Sequence, residues 1–152
     1  MNRFLWLLVI MPAIFTTAGA QVQVTTEFNT NNILIGDQVT LKISVSPQPG
    51  ISIQNIDYSA INTVEGLELL SSKAPDTLIL GGKTWMMTQE LTLTSFDSGY
   101  YFIPPVTVHF LEGSRADSAK SSDLALLVST IPNISDSTQL APIKNIIDEP
   151  LA

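Results

Sequence analysis

The chain has no cysteine. That excludes a disulfide framework, a thiolate nucleophile, a cysteine-ligated zinc site and lipid attachment through a cysteine behind a leader. It has a single histidine, His109, so a histidine-built metal site is excluded too. Charged side chains are only 14% of the residues, well under the roughly 25% of ordinary globular proteins. The surface must therefore be largely Ser, Thr, Asn and Gln. Basic side chains are scarcer than acidic ones, 7 against 14, which argues against binding nucleic acid or an anionic lipid surface, since phosphate binding needs clustered Lys and Arg. No segment combines helical periodicity with a cap and sufficient length.

What is present begins with an export signal. Arg3 supplies the positive region, Phe4 to Phe15 the apolar region, and Ala18-Gly19-Ala20 a small-residue cleavage site before Gln21. The apolar run is too short for a hydrocarbon core, which takes roughly 20 residues, and Pro12 interrupts it; an uncleaved anchor is the alternative. The leader carries one of the 7 basic side chains and none of the 14 acidic ones, so the exported chain has a net charge of −8, one below the −7 of the whole. About 130 residues remain, enough for one domain with a single core. The expected organisation is a signal peptide over 1–20, a β-domain over 21–129 and a tail over 130–152.

Period-2 alternation dominates the β-domain. Val22, Val24, Thr26 and Phe28 alternate with polar residues, and Val39, Leu41, Ile43 and Val45 do so again. Between them, turn clusters at 29–32 and 36–37 flank the short apolar run Ile33 to Ile35. Ile51, Ile53, Ile56 and Tyr58 form a strand that Gln54-Asn55 interrupts, the mark of a bulge. A short strand is expected over Glu65 to Leu70. Leu78-Ile-Leu80, Gly81-Gly82 and the run from Lys83 predict a hairpin, since Gly-Gly supplies the positive φ of a tight turn. On its return arm Trp85, Met87, Gln89, Leu91 and Leu93 share one face, which predicts a core position for Trp85. Residues 112–118 read as a polar loop, and a last strand runs from Ser122 to Val128. Eight or nine short strands at this spacing predict an antiparallel β-sandwich.

The most informative stretch is Asp97 to Phe110. Asp97, Gly99 and Tyr101 have the D-x-G-x-Y spacing of a tyrosine corner, in which a strand-leading Tyr turns its hydroxyl back onto the preceding turn. Pro104-Pro105 follow, and two prolines cannot sit inside a hydrogen-bonded ladder. Asp97, Gly99, Tyr101, Pro104 and Pro105 are thus assigned a structural role. Tyr101, Ile103, Val106, Val108 and Phe110 are expected to face inward.

No constellation carries chemistry. Alternation puts His109 on the solvent face beside Thr107, and no G-x-S-x-G elbow supplies a nucleophile for it. Asp57 and Glu90 are the least implausible carboxylate pair for glycoside hydrolysis. A calcium site would have to draw on Asn29 to Asn32, Asp57 or Asp97, none with EF-hand spacing. Gly81-Gly82-Lys83 precedes no helix and is no phosphate loop. No catalytic residue, cofactor or metal ligand is assigned.

The leader, the strand series and the pattern G-x-x-x-I-P-P-V-T-V at Gly99 to Val108 resemble the N-terminal part of BatD-like proteins, the oxygen-tolerance family of bacterial envelopes. Ala141-Pro-Ile-Lys-Asn-Ile-Ile-Asp-Glu-Pro150, with a helical turn expected over Ile143 to Asp148, is similar to the juxtamembrane P-I-K-x-I-I-x-E-P segment of Bacteroidota members. The resemblance implies an immunoglobulin-like (Ig-like) sandwich and no catalytic residues. It also implies a periplasmic or cell-envelope location, with envelope or membrane proteins as partners. Family members continue into a transmembrane helix that this chain, ending at Ala152, lacks, so membrane attachment would come only through such a downstream helix. The alternative is a carbohydrate-binding or adhesin-like surface module, favoured if Trp85 and Tyr100 stand exposed on one face.

Overall fold

The computed structural model describes residues 21–130; the expected leader and tail, with the turn at Ile143 to Asp148, lie outside them. Eleven strands follow one another: β1 (Val22–Phe28), β2 (Asn32–Leu34), β3 (Gln38–Pro47), β4 (Ile51–Asp57), β5 (Glu68–Ser72), β6 (Asp76–Gly81), β7 (Thr84–Thr94), β8 (Gly99–Ile103), β9 (Thr107–Glu112), β10 (Arg115–Lys120) and β11 (Leu124–Ser129). A 3-10 turn, Ser59–Thr63, links β4 to β5. The domain is all-β.

One layer has the order β1-β3-β7-β5, with β6 also on β7. β3 is its spine. Val39, Leu41, Ile43 and Val45 have no exposed surface, while Thr40, Lys42, Ser44 and Ser46 face outward. A slip of one residue would put all four apolar side chains in water, at a cost of about 1.5–3 kcal/mol each. Met87, Leu91 and Leu93 carry the same inner face onto β7.

The second layer is one long hairpin with a break in its middle. Its first arm is β8, Pro104-Pro105 and β9; its second is β10, residues 121–123 and β11. β9 pairs with β10 and β8 with β11, and the two arms lose pairing at the same level. The prolines remove two N–H donors there. Across the gap the Val106 N–H donates to the Ser121 Oγ at 3.0 Å, and the Ser121 N–H donates to the Val106 carbonyl at 3.0 Å. A buried side chain thus supplies the acceptor the ladder would otherwise provide. β4 flanks β9, and β2 flanks β11, the latter in parallel.

Residues from both layers join a single buried cluster, including Leu41, Leu93, Ile103, Val108, Phe110 and Leu126. With β1, β3, β7 and β5 in one layer and β4, the broken hairpin and the parallel β2 in the other, the molecule is an Ig-like β-sandwich. The edge of β1 is tied to the other layer by Gln21 Nε2 donating to Glu112 Oε2 at the end of β9, at 2.9 Å, and by Thr26 Oγ1 donating to the Ser122 carbonyl just after β10, at 3.4 Å.

Three sequence expectations are corrected. Residues 115–120 form β10 and not part of a loop, because Gly113 at φ +60° turns the chain back and the backbone pairs without any apolar pattern. β2 is a strand of three residues, so the count is eleven. Trp85 is half-buried and outside the core cluster, because β7 outruns β3, whose last pair with it is Val45 with Met87.

The Ser121 bridge makes a testable prediction. Ser121→Ala leaves the buried Val106 N–H without its acceptor and should cost about 1–3 kcal/mol in urea unfolding. Ser118→Ala, on the exposed strand β10, should stay within about 0.5 kcal/mol.

Candidate functional site

The turn between β7 and β8 holds a compact polar knot. The Tyr101 hydroxyl donates to the Asp97 carbonyl at 2.9 Å, and the Ser95 hydroxyl lies 2.9 Å from both of those oxygens. The Ser95 Oγ also accepts from the Asp97 N–H at 3.2 Å. Ser95 is fully buried and Tyr101 nearly so. Asp97 takes part through its backbone; its side chain is exposed and makes no hydrogen bond or ion pair among the described residues. Gly99, at φ +158°, holds a backbone conformation that residues with a Cβ rarely adopt, as expected of the turn, although the space beside it is open. The glycine under steric constraint is Gly66, at φ +79°, where a Cβ would come within 2.9 Å of the Tyr101 hydroxyl. Pro104 is half-buried and Pro105 exposed at the break. Ser95 and Gly66 escaped sequence reading, because the D-x-G-x-Y spacing identifies neither the buried hydroxyl nor the distant loop pressed on the ring.

Among the described residues the titratable groups meet only in small sets. His109 is exposed on β9, opposite Asn55 and Ser118. Hydrogen bonds from the Ser59 hydroxyl and N–H hold the Asp57 carboxyl below its ordinary pKa, with a small contribution from His109. Glu90, 2.6 Å from the Lys73 ammonium, is also held low, by that hydrogen bond and charge. Both carboxyls thus favour the ionised form, and neither is raised as a general acid would be. The Asn29 Oδ1 accepts from the Thr40 N–H at 2.8 Å, so that side chain fixes a turn. Among the described residues no group of three or more His, Asp and Glu side chains could hold a metal, and no helix is long and apolar enough to cross a membrane.

A cavity of about 320 Å³ opens between the β4 bulge and β7, lined by Gln54, Asn55, Tyr58, Met87 and Gln89 among others. The bulge falls between Ile53 and Asn55, as the interrupted alternation predicts. Gln89 donates to the Ser72 Oγ at 2.9 Å and the Lys73 carbonyl at 3.2 Å, and the Tyr58 hydroxyl donates to the same Ser72 Oγ at 3.1 Å. These polar atoms tie the edge formed by β5 to the body of the domain. They present no paired acid and base to the cavity.

Apolar surface lies elsewhere. On β8 the alternation that buries Tyr101 and Ile103 turns Tyr100 and Phe102 outward, 71% and 69% exposed, and Phe96 on the preceding turn is 66% exposed. Leu127 pairs opposite Tyr100 and adds a half-buried neighbour. On β6, Leu78, Ile79 and Leu80 are all exposed. Trp85 belongs to β7 and Tyr100 to β8, strands of different sheets, so the two rings do not share a face.

No protein-family model matches the chain, and no curated protein matches it in sequence.

Two outcomes follow from this geometry. Gly66→Ala should destabilise most among the corner variants, by about 1–3 kcal/mol for the backbone conformation alone with the clash against Tyr101 added. Tyr101→Phe should cost about 1–3 kcal/mol, whereas Asp97→Ala should stay within about 0.5 kcal/mol. Urea unfolding of the three variants tests that order. Because the Asp57 and Glu90 carboxyls are held low, each adds stability while ionised and withdraws it on protonation. Midpoints should be level from pH 7 to about 5 and fall below that, as pH drops through the folded-state values. Glu90→Gln should flatten part of the fall.

Proposed function

We propose that the protein is a non-enzymatic, Ig-like interaction domain of a BatD-like cell-envelope protein, exported to the periplasmic side and working in a membrane-associated complex linked to oxygen or stress tolerance. The observation that carries the reading is the aromatic face of Phe96, Tyr100 and Phe102. Two large rings held in water on β8, with a third on the turn before it, are the kind of exposed aromatic surface that marks a protein contact, aromatic anchors being enriched at interface centres. The G-x-x-x-I-P-P-V-T-V pattern that resembles the family contains two of those rings. The leader motif supports export, and the acidic balance argues against a nucleic-acid partner. The separated titratable groups support a binding role over catalysis.

The test compares wild type with Tyr100→Ser/Phe102→Ser in detergent extracts of Bacteroidota envelopes. Wild type should retain integral envelope proteins through cross-linking and purification, and the double variant should lose them at least tenfold with an unchanged unfolding midpoint. Equal recovery by both forms, or hydrolase activity in the purified protein, overturns the reading.

A further inference from the structure

β6 is an edge without a neighbour. It pairs with β7 on one side, and among the described residues nothing pairs with the other, so every second residue turns its backbone N–H and C=O outward unmatched. The remaining edges are blunted. β1 is tied to the end of β9 by Gln21 and to the link after β10 by Thr26, β10 carries Arg115, Asp117 and Lys120, β2 has three residues, and β4 and β5 are each interrupted by a bulge. β6 has a register shift of its own between Ile79 and Gly81, yet it runs for six residues, has no charge between Asp76 and Lys83, and leaves Leu78, Ile79 and Leu80 53%, 76% and 56% exposed. The hairpin also projects, since β7 continues past its last pair with β3 at Met87 through Met86, Trp85 and Thr84.

We propose that β6 pairs antiparallel with β6 of a second copy of this chain, joining two β3-β7-β6 sheets across a twofold axis at Ile79. The occupant follows from the arrangement of the edge. Its two charges stand at opposite ends, Asp76 before the apolar triplet and Lys83 after it. An antiparallel twofold brings the Leu78 side of one copy to the Leu80 side of the other and Asp76 toward Lys83; a parallel addition would set like beside like. Pairing consumes both free edges and closes the assembly at two, as isologous contacts do. The contact is distinct from the aromatic face, so either can fail without the other.

Sedimentation velocity on the full exported chain, with Ile79→Lys and Phe102→Lys as variants, decides it. Wild type and Phe102→Lys should dimerise alike, while Ile79→Lys should weaken dimerisation at least tenfold with an unchanged circular dichroism spectrum. Because the chain has no cysteine, Ile79→Cys offers a second readout, independent of lysine's effect on the hairpin: mild oxidation should give a covalent dimer, and Ser118→Cys should not. A wild type that stays monomeric to about 100 μM, or a dimer lost with Phe102→Lys and kept with Ile79→Lys, overturns the proposal.

Discussion

The missing donors at Pro104-Pro105 are the constraint around which this sandwich is arranged. A strand that crosses a layer cannot lose consecutive N–H groups and remain a simple ladder. Here the opposite arm breaks at the same height, and Ser121 supplies the acceptor that closes the gap. The break divides a hairpin of about thirty residues into two short ladders, each free to take its own flanking strand. β4 joins one and β2 the other. Immediately before the break, the knot of Tyr101, Ser95 and the Asp97 carbonyl fixes where the arm begins. With no disulfide available, polar atoms at these two points do the positioning and the apolar core supplies the cohesion.

The sequence was most legible where one face of a strand is dry. The alternation over Val39 to Val45 and Tyr101 to Phe110 names the inner residues directly, because water and core impose opposite demands on successive positions. It was least legible where pairing needs no apolar pattern. β10 reads as a loop because all its side chains but Ala119 are exposed, and its backbone pairing leaves no apolar pattern. Trp85 misleads for the converse reason. Its side chain keeps step with Met87 and Leu91, but β3 beside it has ended, and periodicity along one strand carries no record of how far its neighbour extends. Ser95 and Gly66 meet Tyr101 only in three dimensions, and such closeness leaves no mark in spacing.

The surface bears out a division of labour within single strands. On β8 one set of alternate residues builds the core, and the other presents two aromatic rings to water. The inward set cannot change without cost to stability, whereas the outward set is free to be shaped by whatever it touches. That is why the candidate site is a face and an edge, and not a cleft. The cavity beside β4 is occupied in binding the domain's own loops, through Gln89 and Tyr58. The proposed recognition role therefore rests on the outward residues of the sandwich.

The parallel pairing of β2 with β11 sets a temporal order on the domain. Asn32 lies beside Leu127, so two strands from opposite ends of the described chain must meet before that edge is complete. The hairpin of β8 to β11 is local in sequence and can form as soon as it is available, whereas β2 waits through nearly the whole domain for its partner. Contacts of such long range slow folding, because the loop must be closed before the pairing rewards it. During synthesis, which delivers the N-terminal end first, Ile33 keeps its apolar side chain unsheltered until Val128 arrives. The length of that wait is set by the distance along the chain between one three-residue strand and the last.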